Sequence, residues 1–398
     1  MRILLVSNLY PPYAVGGYER LAAWVADGLR ERGHPVHVLT GKGPEGPDLH
    51  PTLDLDLQAL QAAHFSSGIA LGVGLLAGLR HHVFSPHNYG AARRAIEGTR
   101  PDLVSFWNPS FITFAPLLAA RFAGVPSVVH LSDTAVNPFR NPHPPAFPRF
   151  ARPAGVFAVD ALLRLARPRR HVVPSAFLRD RFLRREQLSA DRITVLPWAL
   201  PPSVDRAPPS ERREPRASRL LFVGSLAPEK GALVLLEAFR EASGKRSDLT
   251  LTLVGDAARE EVRVLREAAA ELPVTFRGRL EHGAVLDEYA HHDVLVFPSL
   301  WDEPFALVPL EAAAMGLAVV ATTAGGTPEA FTDGTTARLV APGDRAALSR
   351  AILELAADPV RARALGTAAE AHVRKKHAFT PFLERLEALY DGCRNPPP

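Results

Sequence analysis

Residues 294–316 read VLVFPSLWDEPFALVPLEAAAMG. The first four are apolar and β-prone and stop at Pro298, so Val294 to Phe297 is expected to be a buried strand. Pro304 and the apolar run behind it put a helix start near residues 305 to 307, which leaves Glu303 in the preceding loop. Glu303 and Glu311 stand eight apart, about 80° around a helix at ~100° per residue. A strand, an acid-bearing loop and a helix with a second acid make a βα unit, and in an open parallel sheet ligands bind at the carboxyl ends of strands.

The same alternation extends in both directions. C-terminal strands are expected at Leu220 to Val223, Leu249 to Val254, Val274 to Phe276, Val294 to Phe297 and Ala318 to Ala321, with helical spacing over Gly231 to Arg240 and Ala257 to Leu272. N-terminal strands are expected at Ile3 to Val6, Val36 to Leu39, Leu103 to Phe106, Ser127 to Leu131, His171 to Val173 and Ile193 to Leu196, with a helix from Tyr18 to Arg32. Short β-rich runs separated by longer helical ones predict α/β architecture with parallel sheets. Residues 201–218, PPSVDRAPPSERREPRAS, are proline-rich, charged and aperiodic, which reads as a linker. The expected domains are therefore 1–200 and 219–378, two Rossmann-like, doubly wound units facing a central cleft. A capped amphipathic helix after Thr380-Pro381, in segment 379–398, is expected to pack back on the first, and Asn137 to Pro153 reads as an irregular loop.

Of 398 residues, 47% are hydrophobic and 22% charged, an ordinary globular balance. The 46 basic and 42 acidic residues leave a net charge of +4 and are interleaved, which argues against a nucleic-acid partner. Cys393 is the only cysteine, so neither an internal disulfide nor a cysteine metal cluster is expected, and a reducing cytoplasm fits. The apolar start is short for a signal peptide, and Phe65 to Leu79 is short of the ~20 residues a spanning helix needs.

Among polar residues, Glu303 and Glu311 suit hydroxyl recognition, since a carboxylate accepts several hydrogen bonds, and a helix start beside them suits a phosphate. The bland alternative is two solvated acids. Lys230, in LFVGSLAPEKG (221–231), is either a solvated lysine or a cation for a leaving phosphate. Gly16-Gly17, between the first strand and the first helix, is either a plain turn or a place where backbone approaches a ligand. His130 ends a strand and is as often structural as functional. His81-His82 and His291-His292 are neighbours whose side chains diverge, so no shared metal is expected. Arg164, Arg167, Arg169, Arg170, Arg179, Arg181, Arg184 and Arg185 read first as a solvated face, with anionic lipid or an acidic acceptor as the alternative.

With EPFALVPLEAAAMGLAVVAT (303–322) and LFVGSLAPEKG quoted, the chain resembles the retaining glycosyltransferases of family 4, which have the GT-B fold. The resemblance implies that Glu303 lies by the donor sugar, Glu311 holds the nucleotide ribose and Lys230 clamps the diphosphate. It places Gly16 and Gly17 over the donor phosphates and beside the acceptor, His130 beside the donor sugar with orienting the acceptor as its alternative role, and Leu280, after Arg277-Gly278-Arg279, at the base. Ser225, Phe305, Ala306 and Leu307 fall within its donor-binding segments, although Ser225 stands where arginine is usual and Ala306 where glycine is common. Leu196-Pro197-Trp198-Ala199-Leu200 replaces the usual domain-junction motif. A nucleotide-diphosphate sugar is the implied donor, with no metal or other cofactor. A sugar-nucleotide epimerase or hydrolase on the same plan, and a silent binding subunit, are the rival expectations.

Overall fold

The computed structural model describes residues 1–13, 16–42, 46–53, 83–107, 112–132, 140, 152–185, 188–205 and 216–395. The chain divides into two compact units, Met1–Pro197 with Thr380–Pro398, and Trp198–Phe379. The first unit holds strands β1 (Ile3–Leu9), β2 (Val36–Lys42), β3 (Leu49–Pro51), β4 (Leu103–Trp107), β5 (Ser127–His130), β6 (Arg170–Val173) and β7 (Ile193–Val195), in sheet order β3-β2-β1-β4-β5-β6-β7. The second holds β8 (Arg219–Val223), β9 (Thr250–Val254), β10 (Val274–Gly278), β11 (Val294–Phe297), β12 (Ala318–Thr322) and β13 (Arg338–Val340), in order β10-β9-β8-β11-β12-β13. Every strand pairing within these sheets is parallel.

Parallel sheets sandwiched by helices are dry on both faces, so their inner strands are apolar without alternation. β1, β4 and β11 are buried at every residue. Each unit has its own core: Leu4, Val6, Val104, Phe106 and Phe182 in the first, Phe222, Leu253, Val296, Phe239 and Ile352 in the second. In each sheet the order reverses at one place, between β1 and β4 and between β8 and β11. In an open parallel sheet such a switch point, at the carboxyl ends of the two strands, is where ligands commonly bind.

The structure corrects three sequence expectations. The linker is not wholly extended: Pro202–Asp205 forms a helical turn whose Val204 is buried and whose carbonyls accept from Arg374, so this stretch belongs to the second unit. The Asn137 to Pro153 loop is already helical at its end, where Arg152–Ala166 begins; most of that loop, with Phe65 to Leu79 and His81-His82, lies outside the described residues. The arginine face is incomplete, because Arg181 is buried.

The helix Phe379–Arg394 belongs, apart from its first residue, to the first unit. Its Glu387 accepts from Arg32 Nε at 2.8 Å and lies 2.8 Å from His34 Nε2, tying it to the end of the first helix, Gly17–Glu31. Among the described residues no helix is long and apolar enough to cross a membrane.

Candidate active site

In the second unit the loops after β8 and β11 are sewn together at the switch point. β8 runs into Gly224-Ser225, then a short turn at Pro228–Lys230, then Gly231 with φ 74° ahead of the helix Ala232–Ser243. A Cβ at Gly231 would sit 2.0 Å from the Pro298 carbonyl oxygen, so only glycine allows this approach. The amides of Leu300 and Trp301 donate to the Glu229 carbonyl at 2.9 and 3.1 Å, fixing the second loop to the first.

This bracing presents Glu303 to Lys230. Lys230 Nζ donates to Glu303 Oε1 at 2.7 Å, and Ser299 Oγ donates to the same oxygen at 2.7 Å. Glu303 is buried while the lysine keeps some exposure, its side chain 28% accessible. An ammonium has three donors, so two remain for another anion. Behind the carboxylate, the Gly326 amide donates to the Glu303 carbonyl at 2.7 Å, and Gly325, with φ 60°, lies so close that a Cβ would come within 2.2 Å of that oxygen.

The helix after Glu303 runs from Leu307 to Ala314 with Ala306 as its N-cap, and no side chain caps it. Its first-turn amides therefore need a partner from elsewhere. Glu311 is buried on this helix; Oε1 lies 3.1 Å from His282 Nε2, and Oε2 accepts from Tyr289 Oη at 3.1 Å. Burial and the neighbouring carboxylate hold the Tyr289 phenol well above its ordinary range, which keeps it a donor. A carboxylate has about four lone-pair sites, so two protein partners leave Glu311 with capacity for a ligand.

Other second-unit candidates are distributed around this frame. Half-buried Leu280 precedes His282 by two residues and so neighbours the Glu311 cluster in the chain. Ser225 is half-buried and its Oγ accepts from the Ala227 amide at 3.3 Å. Phe305 is buried, edge-on to Trp198 at 6.3 Å and tilted against His377 at 5.5 Å. Its side chain is a wedge that holds the loop. Leu307 is likewise buried and Ala306 half-buried. Ser299, His282 and Tyr289 complete the cluster without having been singled out by any motif.

In the first unit, the loop after β1 leads to Gly16 and Gly17, both exposed at the helix start. The Gly16 amide is already engaged, donating to Glu19 Oε2 at 2.8 Å. Glycine has no side chain to accept in return, so only the Glu19 half of a capping box is made here. Burial pushes the Glu19 carboxyl up.

His130 closes β5 and is buried. Its ring stacks on Trp107 with centroids 4.1 Å apart and planes 9° apart, and Nε2 lies 2.9 Å from Tyr390 Oη. Desolvation lowers its pKa to about 3, and that of His171 in β6 to about 4. Both rings are neutral at physiological pH. Lowered folded values mean that the unfolded chain binds more protons below about 6.5, so stability falls as pH drops from there toward the folded pKa values. Each ring contributes about 1.4 kcal/mol per pH unit over that window. Between pH 7 and 5 the first unit should lose stability to urea, and less in His130→Gln; equal acid sensitivity in both proteins would contradict this.

Residues 15–203 match Glycosyltransferase Family 4 and residues 217–358 match Glycosyl transferases group 1. The chain belongs to these glycosyltransferases, and two Rossmann-like units are their GT-B fold. Glycogen synthase of Mycobacterium tuberculosis is 29% identical over 384 residues, which cover 93% of this chain and 89% of that protein. A GDP-mannose-dependent monoacylated alpha-(1-6)-phosphatidylinositol monomannoside mannosyltransferase of Corynebacterium glutamicum is 35% identical over 169 residues, covering 40% of this chain and 44% of the relative. The crystal structure of Anabaena HepE in complex with UDP and glucose superposes with a TM-score of 0.72 at 19% identity, covering 98% of this chain and 99% of that one.

Proposed function

We propose that this enzyme takes a sugar from a nucleotide-diphosphate donor and transfers it, with retention of the anomeric configuration, to the hydroxyl of an acceptor. The observation that carries the donor half is the second unit's switch point, where loops leaving adjacent strands bring Lys230 to Glu303 and lead into an uncapped helix that carries Glu311. In this reading the ammonium of Lys230 and the amides at Ala306 and Leu307 take the diphosphate, Glu303 takes sugar hydroxyls and Glu311 the ribose. Leu280 meets the base, and Ser225 and Phe305 offer backbone groups along the donor. From the first unit, Gly17 serves the phosphates and His130 the transferred sugar.

In the transfer itself, the bond from the anomeric carbon to the phosphate oxygen breaks as the bond to the acceptor oxygen forms on the same face. The departing diphosphate takes the acceptor's proton. The protein's part is positioning and charge stabilisation, with Lys230 and the helix amides in the place of a metal ion. HepE was solved with UDP and glucose and the corynebacterial relative is named for GDP-mannose, so UDP-glucose and GDP-mannose form the first donor panel. A true donor raises the melting temperature by mass action. Product NMR then reads the anomeric configuration: inversion would refute retention, and turnover without any acceptor would point to the epimerase or hydrolase reading.

A peripheral membrane contact is a second part of the proposal. The helix Arg152–Ala166 leaves Phe157 74% and Leu165 48% exposed, with Arg164 exposed beside them and Arg167 and Arg169 following. Apolar side chains flanked by cations suit an anionic bilayer surface. Flotation with phosphatidylglycerol vesicles should retain the wild type and lose Phe157→Glu; equal recovery with neutral phosphatidylcholine vesicles would remove the charge argument.

A further inference from the structure

We infer that Tyr390, from the C-terminal helix, sets the tautomer of His130 and leaves its proton on Nδ1. The inference rests on counting hydrogens in a buried chain of four side chains. Trp107 Nε1 lies 3.1 Å from Ser105 Oγ, Ser105 Oγ lies 2.6 Å from Tyr390 Oη, and Tyr390 Oη lies 2.9 Å from His130 Nε2. All four residues are buried. The first link has one direction only, because an indole N–H donates and cannot accept. The indole hydrogen goes to Ser105 Oγ or is shared with Tyr390 Oη, and in either case the serine must send its own hydrogen elsewhere. Among the described residues, Tyr390 Oη is the acceptor within reach.

If Ser105 donates to Tyr390, the phenol hydrogen is free to go to His130 Nε2, which must then be bare. Run the other way, with Nε2–H donating to Tyr390 and Tyr390 to Ser105, the chain strands the serine hydrogen in a dry site. A buried unsatisfied donor is the costlier arrangement. The order is therefore Trp107 to Ser105 to Tyr390 to His130, and a neutral imidazole whose Nε2 accepts carries its hydrogen on Nδ1. Stacking on Trp107 fixes the ring plane, and the Glu387 contacts to Arg32 and His34 fix the helix that brings Tyr390.

On the proposed function, in which His130 serves the transferred sugar, this makes His130 a hydrogen-bond donor through Nδ1. It suits a sugar hydroxyl oxygen and does not suit proton abstraction through Nε2. Tyr390 is a positioning residue, acting through His130.

The test is nitrogen NMR of protein labelled with ¹⁵N-histidine, with the His130 signals assigned by their loss in His130→Gln. The wild type should show a neutral ring protonated on Nδ1, and Ser105→Ala, which removes the hydrogen that forbids the reverse order, should admit the other tautomer. Tyr390→Phe should shift it toward the other tautomer or a mixture. A wild-type ring protonated on Nε2, or a spectrum indifferent to Tyr390→Phe, would overturn the inference. Kinetics use UDP-glucose or GDP-mannose, whichever raises the melting temperature more, and Tyr390→Phe should lower kcat about tenfold with little change in donor KM. A changed tautomer without a changed kcat, where His130→Gln is slow, would overturn the positioning role. An Nδ1–H ring in a protein whose turnover ignores both substitutions would leave the tautomer standing and sink the assignment of His130 to the sugar.

Discussion

Lys230→Met should lower turnover by about 10²- to 10³-fold, the cost of removing one preorganised charge from a transition state, while donor affinity falls far less. As the sugar departs, negative charge grows on the diphosphate, so a cation there interacts more strongly with the transition state than with the bound donor. The side chain is already placed by the Gly231 turn and held at 2.7 Å from Glu303, which limits reorganisation during the step. Methionine keeps an unbranched chain of similar bulk and removes the charge together with the N–H donors. The substitution also leaves Glu303 with Ser299 as its remaining donor, so some stability is lost along with activity. Circular dichroism melts separate the two effects: a protein still folded at the assay temperature but slow supports the electrostatic role. Equal losses in kcat and in donor binding would show that Lys230 serves the ground state and transition state alike.

Glu311→Ala should weaken nucleotide binding by about 10- to 100-fold, since hydrogen bonds to a charged group are worth about 1.5–3 kcal/mol. The free protein holds Glu311 between His282 and Tyr289, which orients the carboxylate and leaves lone pairs for two ribose hydroxyls. Alanine removes the ribose acceptor and also abandons the Tyr289 hydroxyl in a buried site. Glu311→Gln retains an acceptor oxygen while losing the charge, so its affinity should fall between wild type and alanine. Calorimetry giving an unchanged dissociation constant for Glu311→Ala would remove the ribose role.

How far these assignments could be read before the fold was known depends on how local each one is. Inner strands such as β8 and β11 announce themselves as apolar runs because both sheet faces are dry. β3 and β13 do not, being three-residue edge strands that are only partly buried. Glu303, Glu311 and Lys230 were visible because motif spacing is a property of the chain. Their partners were not: His282 and Tyr289 reach Glu311 from 29 and 22 residues away, a proximity created by sheet order. Tyr390 and His130 are separated by 260 positions, so an amphipathic pattern could place the last helix without naming the hydroxyl it delivers.

Two assignments shifted, one for a long-range reason and one for a local one. Phe305 lies in the donor-binding segment, yet Trp198 and His377 claim its ring, and long-range aromatic packing leaves no trace in spacing. Gly16 looked open to a phosphate, but Glu19 three residues later meets its amide. That second outcome had a legible signal, since an acid at the third helical position commonly reaches back to the N-cap.

A crystal structure of the protein soaked with a nucleoside diphosphate tests the central claim most directly. The account predicts phosphate oxygens within hydrogen-bond distance of Lys230 Nζ and the amides opening the helix at Leu307, with ribose hydroxyls on Glu311. Nucleotide bound at another place, with Lys230 still paired only to Glu303 and Glu311 only to His282 and Tyr289, would contradict it.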